Sequence, residues 1–242
     1  MLNNLYIYLI LFFGVLLSGS VVFFIKKENE KLLKLLLSFS GAFLFAISAL
    51  NLIPEIYSVK TSLNPGIFIL FGFLIQVLLD FFTKGIEHGH SHIDSHENKI
   101  FPLAIMLGLC IHSFLEGMPL VDTFDKEVQH TLLIGIVIHN VPISILLMTL
   151  FLASGMKKNN AFLLLILFAL VTPAGSVTSY LINDNIVGNL SQYFSYIMAL
   201  VVGVFLHVST SILFETSENH QYNIQKFITV IFGALAACLT LL

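Results

Sequence analysis

Arginine and tryptophan are absent from this chain, and only 10% of its 242 residues are charged. A soluble domain carries about 25% charged residues, so a large water-facing surface is excluded. With no arginine and no basic stripe among eleven lysines, nothing suits a nucleic-acid backbone, and no nucleic acid is expected as a partner. Cysteine is nearly missing too. Cys110 and Cys238 both lie within apolar segments, where they serve better as core filler than as a disulfide or a metal-binding pair. No positive charge precedes the first apolar run in Met1-Leu2-Asn3-Asn4, and no small-x-small cleavage site is obvious. That segment is therefore expected to be a mature span and not a signal peptide.

What the chain has in abundance is hydrophobic residues, 57% of the total, with a mean hydropathy of +0.94. Apolar runs of roughly 20 residues recur along its length, each long enough to cross a hydrocarbon core about 30 Å thick. The partner implied is the lipid bilayer, and the fold class is an all-α membrane protein with eight transmembrane helices. The spans are expected at about 5–25, 35–57, 66–84, 100–120, 131–153, 161–182, 193–214 and 226–242. Connections between them are short, the longest covering about 85–99, so residues 1–242 form a single transmembrane domain.

Lysines set the orientation. Lys26, Lys27, Lys31, Lys34, Lys84, Lys99, Lys157, Lys158 and Lys226 fall on one side of an eight-span arrangement, and only Lys60 and Lys126 on the other. The positive-inside rule then places both termini outside the cytoplasm and the 85–99 loop within it. Helix breakers Pro54, Pro119, Pro142 and Pro173 interrupt the spans, and each frees a carbonyl that a polar cavity or an ion can serve. Gly14, Gly19, Gly41, Gly72, Gly203 and Gly233 are expected where helices approach closely.

Against this apolar background two polar islands stand out. His112-Ser113-Phe114-Leu115-Glu116-Gly117 lies in the fourth span, and His139-Asn140-Val141-Pro142 in the fifth. An ionisable side chain at bilayer depth costs about 2.5–3.5 kcal/mol even on lenient scales, so each island signals a function. His112 and Glu116 share a helix face, being four residues apart. His112 lies about 18 Å from the inner end of its span and His139 about 12 Å from the outer end of the next, at 1.5 Å of rise per residue. In a core of about 30 Å these depths coincide.

Two imidazoles and a carboxylate suit borderline divalent ions such as zinc, iron or manganese, and the absence of thiolates argues against Cu(I). Three firm ligands leave room for exchange, as a transported ion requires. Asn51, in the second span near the depth of Glu116, can complete the shell. Glu55, Asp80, His207 and Glu215 place further polar groups on either side of this layer and sketch a route. The loop Glu87-His88-Gly89-His90-Ser91-His92-Ile93-Asp94-Ser95-His96-Glu97 alternates histidines, a pattern for loose metal capture by His88, His90, His92 and His96. No His-Glu-x-x-His helix occurs, so a zinc hydrolase is not expected.

These residues resemble the ZIP (Zrt/Irt-like) family of divalent metal transporters. Asn51-Leu52-Ile53-Pro54-Glu55 resembles the family's second-span ending His-Leu-x-Pro-Glu, and the His-rich loop follows span three as expected. His112–Gly117 resembles the fourth-span pattern His-Asn-x-x-(Asp/Glu)-Gly, and His139–Ile143 the fifth-span His-Glu-x-Pro-(His/Glu). Phe194–Glu215 resembles the seventh span. The resemblance implies inverted repeats (spans 1–3 and 6–8) around the central pair of spans 4 and 5, a binuclear-type site there, a homodimer, and metal flow towards the cytoplasm.

No enzymatic activity and no cofactor are expected, the divalent metal (zinc foremost) being the cargo, and the expected location is the cell membrane. By position His112, Glu116 and His139 carry over as primary ligands, and Ser113 and Asn140 as second-site positions. Four departures matter: Asn51 for a common His, Ser113 for Asn, Asn140 for a frequent acid, and Ile143 for a bridging ligand. One metal is expected, with the second site weakened or absent. The alternative is a degenerate metal sensor or regulatory subunit with little transport.

Overall fold

A computed structural model describes residues 5–24, 30–83, 101–121, 125–183, 190–214 and 224–241. Lipid offers no partner to backbone N–H and C=O groups, so each crossing must satisfy them within itself. Among the described residues the result is helix and no strand. The helices are α1 (Leu5–Ser20), α2 (Glu30–Ile47), α3 (Ile53–Ser58), α4 (Pro65–Thr83), α5 (Phe101–Gly117), α6 (Lys126–Ala153), α7 (Lys158–Ala169), α8 (Val171–Asn183), α9 (Leu190–Phe214) and α10 (Ile224–Leu239). A π-helical turn, Ser48–Leu52, joins α2 to α3, and α7 runs on into α8 at Leu170, so ten helices make eight rods. Six rods are long and apolar enough to cross a membrane; Leu103–Gly117 and Ile224–Leu239 are shorter apolar helices.

The apolar runs locate the rods, while local capping and proline set their ends. The second and fifth spans begin at Glu30 and Lys126, about one turn before the expected starts at 35 and 131. At the fifth, the Asp125 side chain accepts a hydrogen bond from the Glu127 backbone N–H and caps the helix early. The fourth span stops at Gly117 and not at 120, because Pro119 disfavours helix in the residue before it. Beyond the stop, Ser176 Oγ donates to the Leu120 carbonyl at 2.6 Å, joining the α5 end to α8. Pro54 lies in the first turn of α3 and Pro173 in that of α8, whereas Pro142 sits inside the unbroken 28-residue α6.

Packing follows the pairings that inverted repeats require. α4 packs along α9 as α10 packs along α2, and α1 lies on α6 as α8 lies on α5. Glycines make the first of these contacts close. A Cβ at Gly72 would overlap the Leu200 carbonyl oxygen, and one at Gly203 the Ile69 carbonyl oxygen, so α4 and α9 touch backbone to backbone. Gly117 and Gly175 act the same way between α5 and α8, against Thr172 and Phe114. On its far side α4 exposes Ile67, Leu70, Phe71, Phe81 and Phe82, the surface a lipid-facing helix presents.

The buried residues divide into two apolar clusters with a polar layer between them. One contains Leu11, Ile47, Leu120, Leu132, Ile136 and Phe205. The other contains Val15, Leu37, Leu109, Ile143, Leu147 and Val208. Along α6, His139 falls between Ile136 and Ile143; along the fourth span, His112 and Glu116 fall between Leu109 and Leu120. Hydrophobic packing above and below thus encloses the polar side chains.

Candidate metal centre

Antiparallel helices α5 and α6 bring His112, Glu116 and His139 together, all three fully buried. One turn of helix separates His112 from Glu116, and its Nε2 lies 2.9 Å from Glu116 Oε1. His139 Nε2 lies 3.9 Å from the same oxygen and 3.4 Å from His112 Nε2. Zinc held tetrahedrally at 2.0–2.1 Å spaces its ligand atoms about 3.3 Å apart, and these three separations bracket that figure. A point equidistant from the three atoms lies about 2.0 Å from each, a zinc–nitrogen or zinc–oxygen bond length. Among the described residues no other group of three or more His, Cys, Asp or Glu side chains converges in this way.

The neighbouring sequence positions are polar, and among the described residues several of their buried atoms have no hydrogen-bond partner. These are Ser113 Oγ, both amide atoms of Asn140, and Asn51 Oδ1 in the π-helical turn. Burying such groups without partners costs on the order of 1–3 kcal/mol each, an outlay that a hydrated ion would offset. Ile143 is packed into the apolar cluster that contains Leu109 and Leu147, and offers no donor atom.

Of the route residues, Asp80 and His207 are brought together. Asp80 Oδ2 lies 3.3 Å from His207 Nδ1, pairing the third span with the seventh. Glu55 stands apart, half-buried in the first turn of α3, its backbone carbonyl accepting from Ser58 Oγ. Glu215 and the loop histidines His88, His90, His92 and His96 lie outside the described residues. A buried amide that the sequence pattern did not single out lies between the two groups. Gln76 on α4 bridges the two groups, with Oε1 3.0 Å from His112 Nδ1 and Nε2 3.3 Å from Asp80 Oδ1. Its spacing of four from Asp80, within an apolar run, was the available signal.

Residues 87–240 match a family model described as ZIP Zinc transporter, well over half of the chain. The chain belongs to the ZIP zinc transporter family. Among curated ZIP relatives, zinc transporter ZIP9 of Xenopus tropicalis is 28% identical over 153 residues, covering 60% of this chain and 50% of that protein. Zinc transporter ZIP9 of Micropogonias undulatus is 26% identical, covering 60% and 49%. Protein zntD of Dictyostelium discoideum is 26% identical over 152 residues, 58% of this chain and 22% of that protein. The chain spans about half the length of the ZIP9 relatives it matches. The matched region holds α5 and α6, and with them all three converging ligand atoms.

Proposed function

We propose that this protein carries divalent metal ions, zinc foremost, across a membrane towards the cytoplasm, through a site made by His112, Glu116 and His139. The observation that carries this reading is the triangle of two imidazole nitrogens and one carboxylate oxygen, sized for zinc and enclosed between two apolar clusters. Family membership and the names of the ZIP9 relatives support transport as the use of such a site. One negative charge and two neutral imidazoles leave a bound zinc with residual positive charge, which favours exchange over permanent retention. In this proposal the flanking repeats move around the ion to open the site to each side in turn.

The finer parts of the proposal rest on the sequence. The lysine distribution supports extracytoplasmic termini, with a single domain whose cytoplasmic His-rich loop captures metal loosely. A cell-membrane location belongs to the same proposal, as does a homodimer, for which the family resemblance is the support. Since Ile143 provides no bridge and Asn140 no charge, the purified protein should bind one ion per chain at this centre once the His-rich loop is shielded or removed. Isothermal titration with zinc counts it, and a stoichiometry of two would restore the second site.

Reconstituted liposomes test the function directly. Zinc should accumulate inside at a rate that saturates with external zinc. Binding without accumulation would instead favour the second reading, a metal sensor or regulatory subunit with little transport. Buried, apolar Ile143 in place of a ligand is what motivates that alternative.

Imidazole ligation also dictates the pH response. A histidine binds metal only when neutral, and the ordinary imidazole pKa is about 6.5. Below that value a proton occupies the lone pair that zinc needs, so uptake should fall as pH drops through about 6 and recover above about 7. Flat uptake between about pH 5 and 8 would contradict ligation by His112 and His139.

A further inference from the structure

We propose that Gln76 is a positioning residue that fixes which ring nitrogen of His112 carries hydrogen, and so aims the other nitrogen's lone pair at the metal. The inference rests on the metal-site reading above and adds to it a residue from a third helix. Gln76 is fully buried on α4, where an apolar side chain would fill the same space without a polar group to satisfy.

An amide has an acceptor end and a donor end, and its partners decide which way it faces. Gln76 Nε2 lies 3.3 Å from Asp80 Oδ1. A carboxylate only accepts, so the NH2 end of the amide must face Asp80. The carbonyl end then faces His112 Nδ1, at 3.0 Å. A carbonyl also only accepts, so Nδ1 must carry the ring hydrogen. Nδ1 is then committed to Gln76, and Nε2 is the nitrogen left to face the metal. Nε2 is the atom 2.9 Å from Glu116 Oε1 and 3.4 Å from His139 Nε2. Glu116 Oε1 also only accepts, so the position between it and Nε2 takes either a hydrogen on Nε2 or, in its place, the metal.

Each step of this polarity is set by the one before it, starting at Asp80. Asp80 is itself held from the other side, its Oδ2 3.3 Å from His207 Nδ1 on α9. With an apolar residue at position 76, Nδ1 loses this acceptor, and the ring hydrogen is drawn to Nε2, towards Glu116 and the metal position. Outer partners that orient ligating histidines are commonly worth 10- to 100-fold in metal affinity.

The test uses the full-length protein in detergent, labelled with nitrogen-15 histidine and kept above the imidazole titration range. In zinc-free wild type, His112 Nδ1 should carry a hydrogen, bonded to Gln76 Oε1. Gln76→Met should mix the two tautomers and weaken zinc binding by about 10- to 100-fold. The double variant Gln76→Glu/Asp80→Asn keeps an acceptor towards His112 and a donor towards residue 76, and should restore both tautomer and affinity. Asp80→Asn alone lets the amide turn round, so it should give a mixed tautomer.

A wild-type His112 with no hydrogen on Nδ1 overturns the proposal at once. So does a Gln76→Met protein that weakens zinc binding with the tautomer unchanged, since that is a packing role. If Gln76→Met fails to fold, the wild-type tautomer and Asp80→Asn still decide. The tautomer is read without metal, so a failure of the metal-site reading itself shows separately, as zinc retained by a Glu116→Gln protein.

Discussion

Glu116→Gln should leave the protein folded in the membrane and remove its specific zinc retention. Glu116 supplies the only formal negative charge in the triangle, and its Oε1 is the atom shared by both imidazole contacts. Glutamine has nearly the same volume, so the apolar clusters on either side should pack unchanged. A neutral amide oxygen is a much poorer zinc ligand than a carboxylate. Outer partners of a metal ligand are worth 10- to 100-fold, so losing the charged ligand itself should exceed about 100-fold in affinity. Stability should not fall with it, because an ionised carboxylate at this depth is expensive and its removal relieves that cost. Zinc retention and thermal stability measured on the same preparation separate the two effects. Undiminished retention would place the metal elsewhere.

Gly203→Leu should have the largest effect on the fold. The Cβ it adds would overlap the Ile69 carbonyl oxygen, a backbone atom with no rotamer to retreat into. α4 and α9 must then separate, losing contact along their shared face and pulling Asp80 from His207. Overpacking a core with flexible neighbours costs about 1–3 kcal/mol, and a rigid backbone neighbour puts this substitution at or above the top of that range. The readout is thermal stability and the monodisperse fraction in detergent. Gly155→Ala is the comparison. Gly155 has a positive φ of 77° but open space around its Cβ position, so alanine there should cost only about 1 kcal/mol from backbone strain. Equal stability of the two variants would contradict the close α4–α9 contact.

The eight rods were legible because lipid leaves one local solution, a helix about as long as the bilayer is thick. Their ends were less so. Asp125 caps the fifth span one turn early and Pro119 ends the fourth one turn short, both through local geometry that hydropathy does not weigh. The break at Leu170, where α7 gives way to α8, falls just before Pro173, one of the helix breakers named from the sequence.

His112, Glu116 and His139 were legible as candidates because ionisable groups are rare in apolar runs, and helix rise alone put them at one depth. The structure draws their ligand atoms within 4 Å of one another. Gln76 was harder to see. It is uncharged, and its meaning depends on His112 and Asp80, which reach it from different positions in the chain. The pairing of Asp80 with His207 was hidden for the same reason, since only the glycine-lined contact of α4 with α9 brings them within 3.3 Å.

The most direct test of the metal centre is anomalous diffraction at the zinc edge from crystals of the full-length protein soaked in zinc. One peak should appear among His112 Nε2, His139 Nε2 and Glu116 Oε1, about 2 Å from each. A zinc-retaining protein with no peak between those three atoms would contradict the account.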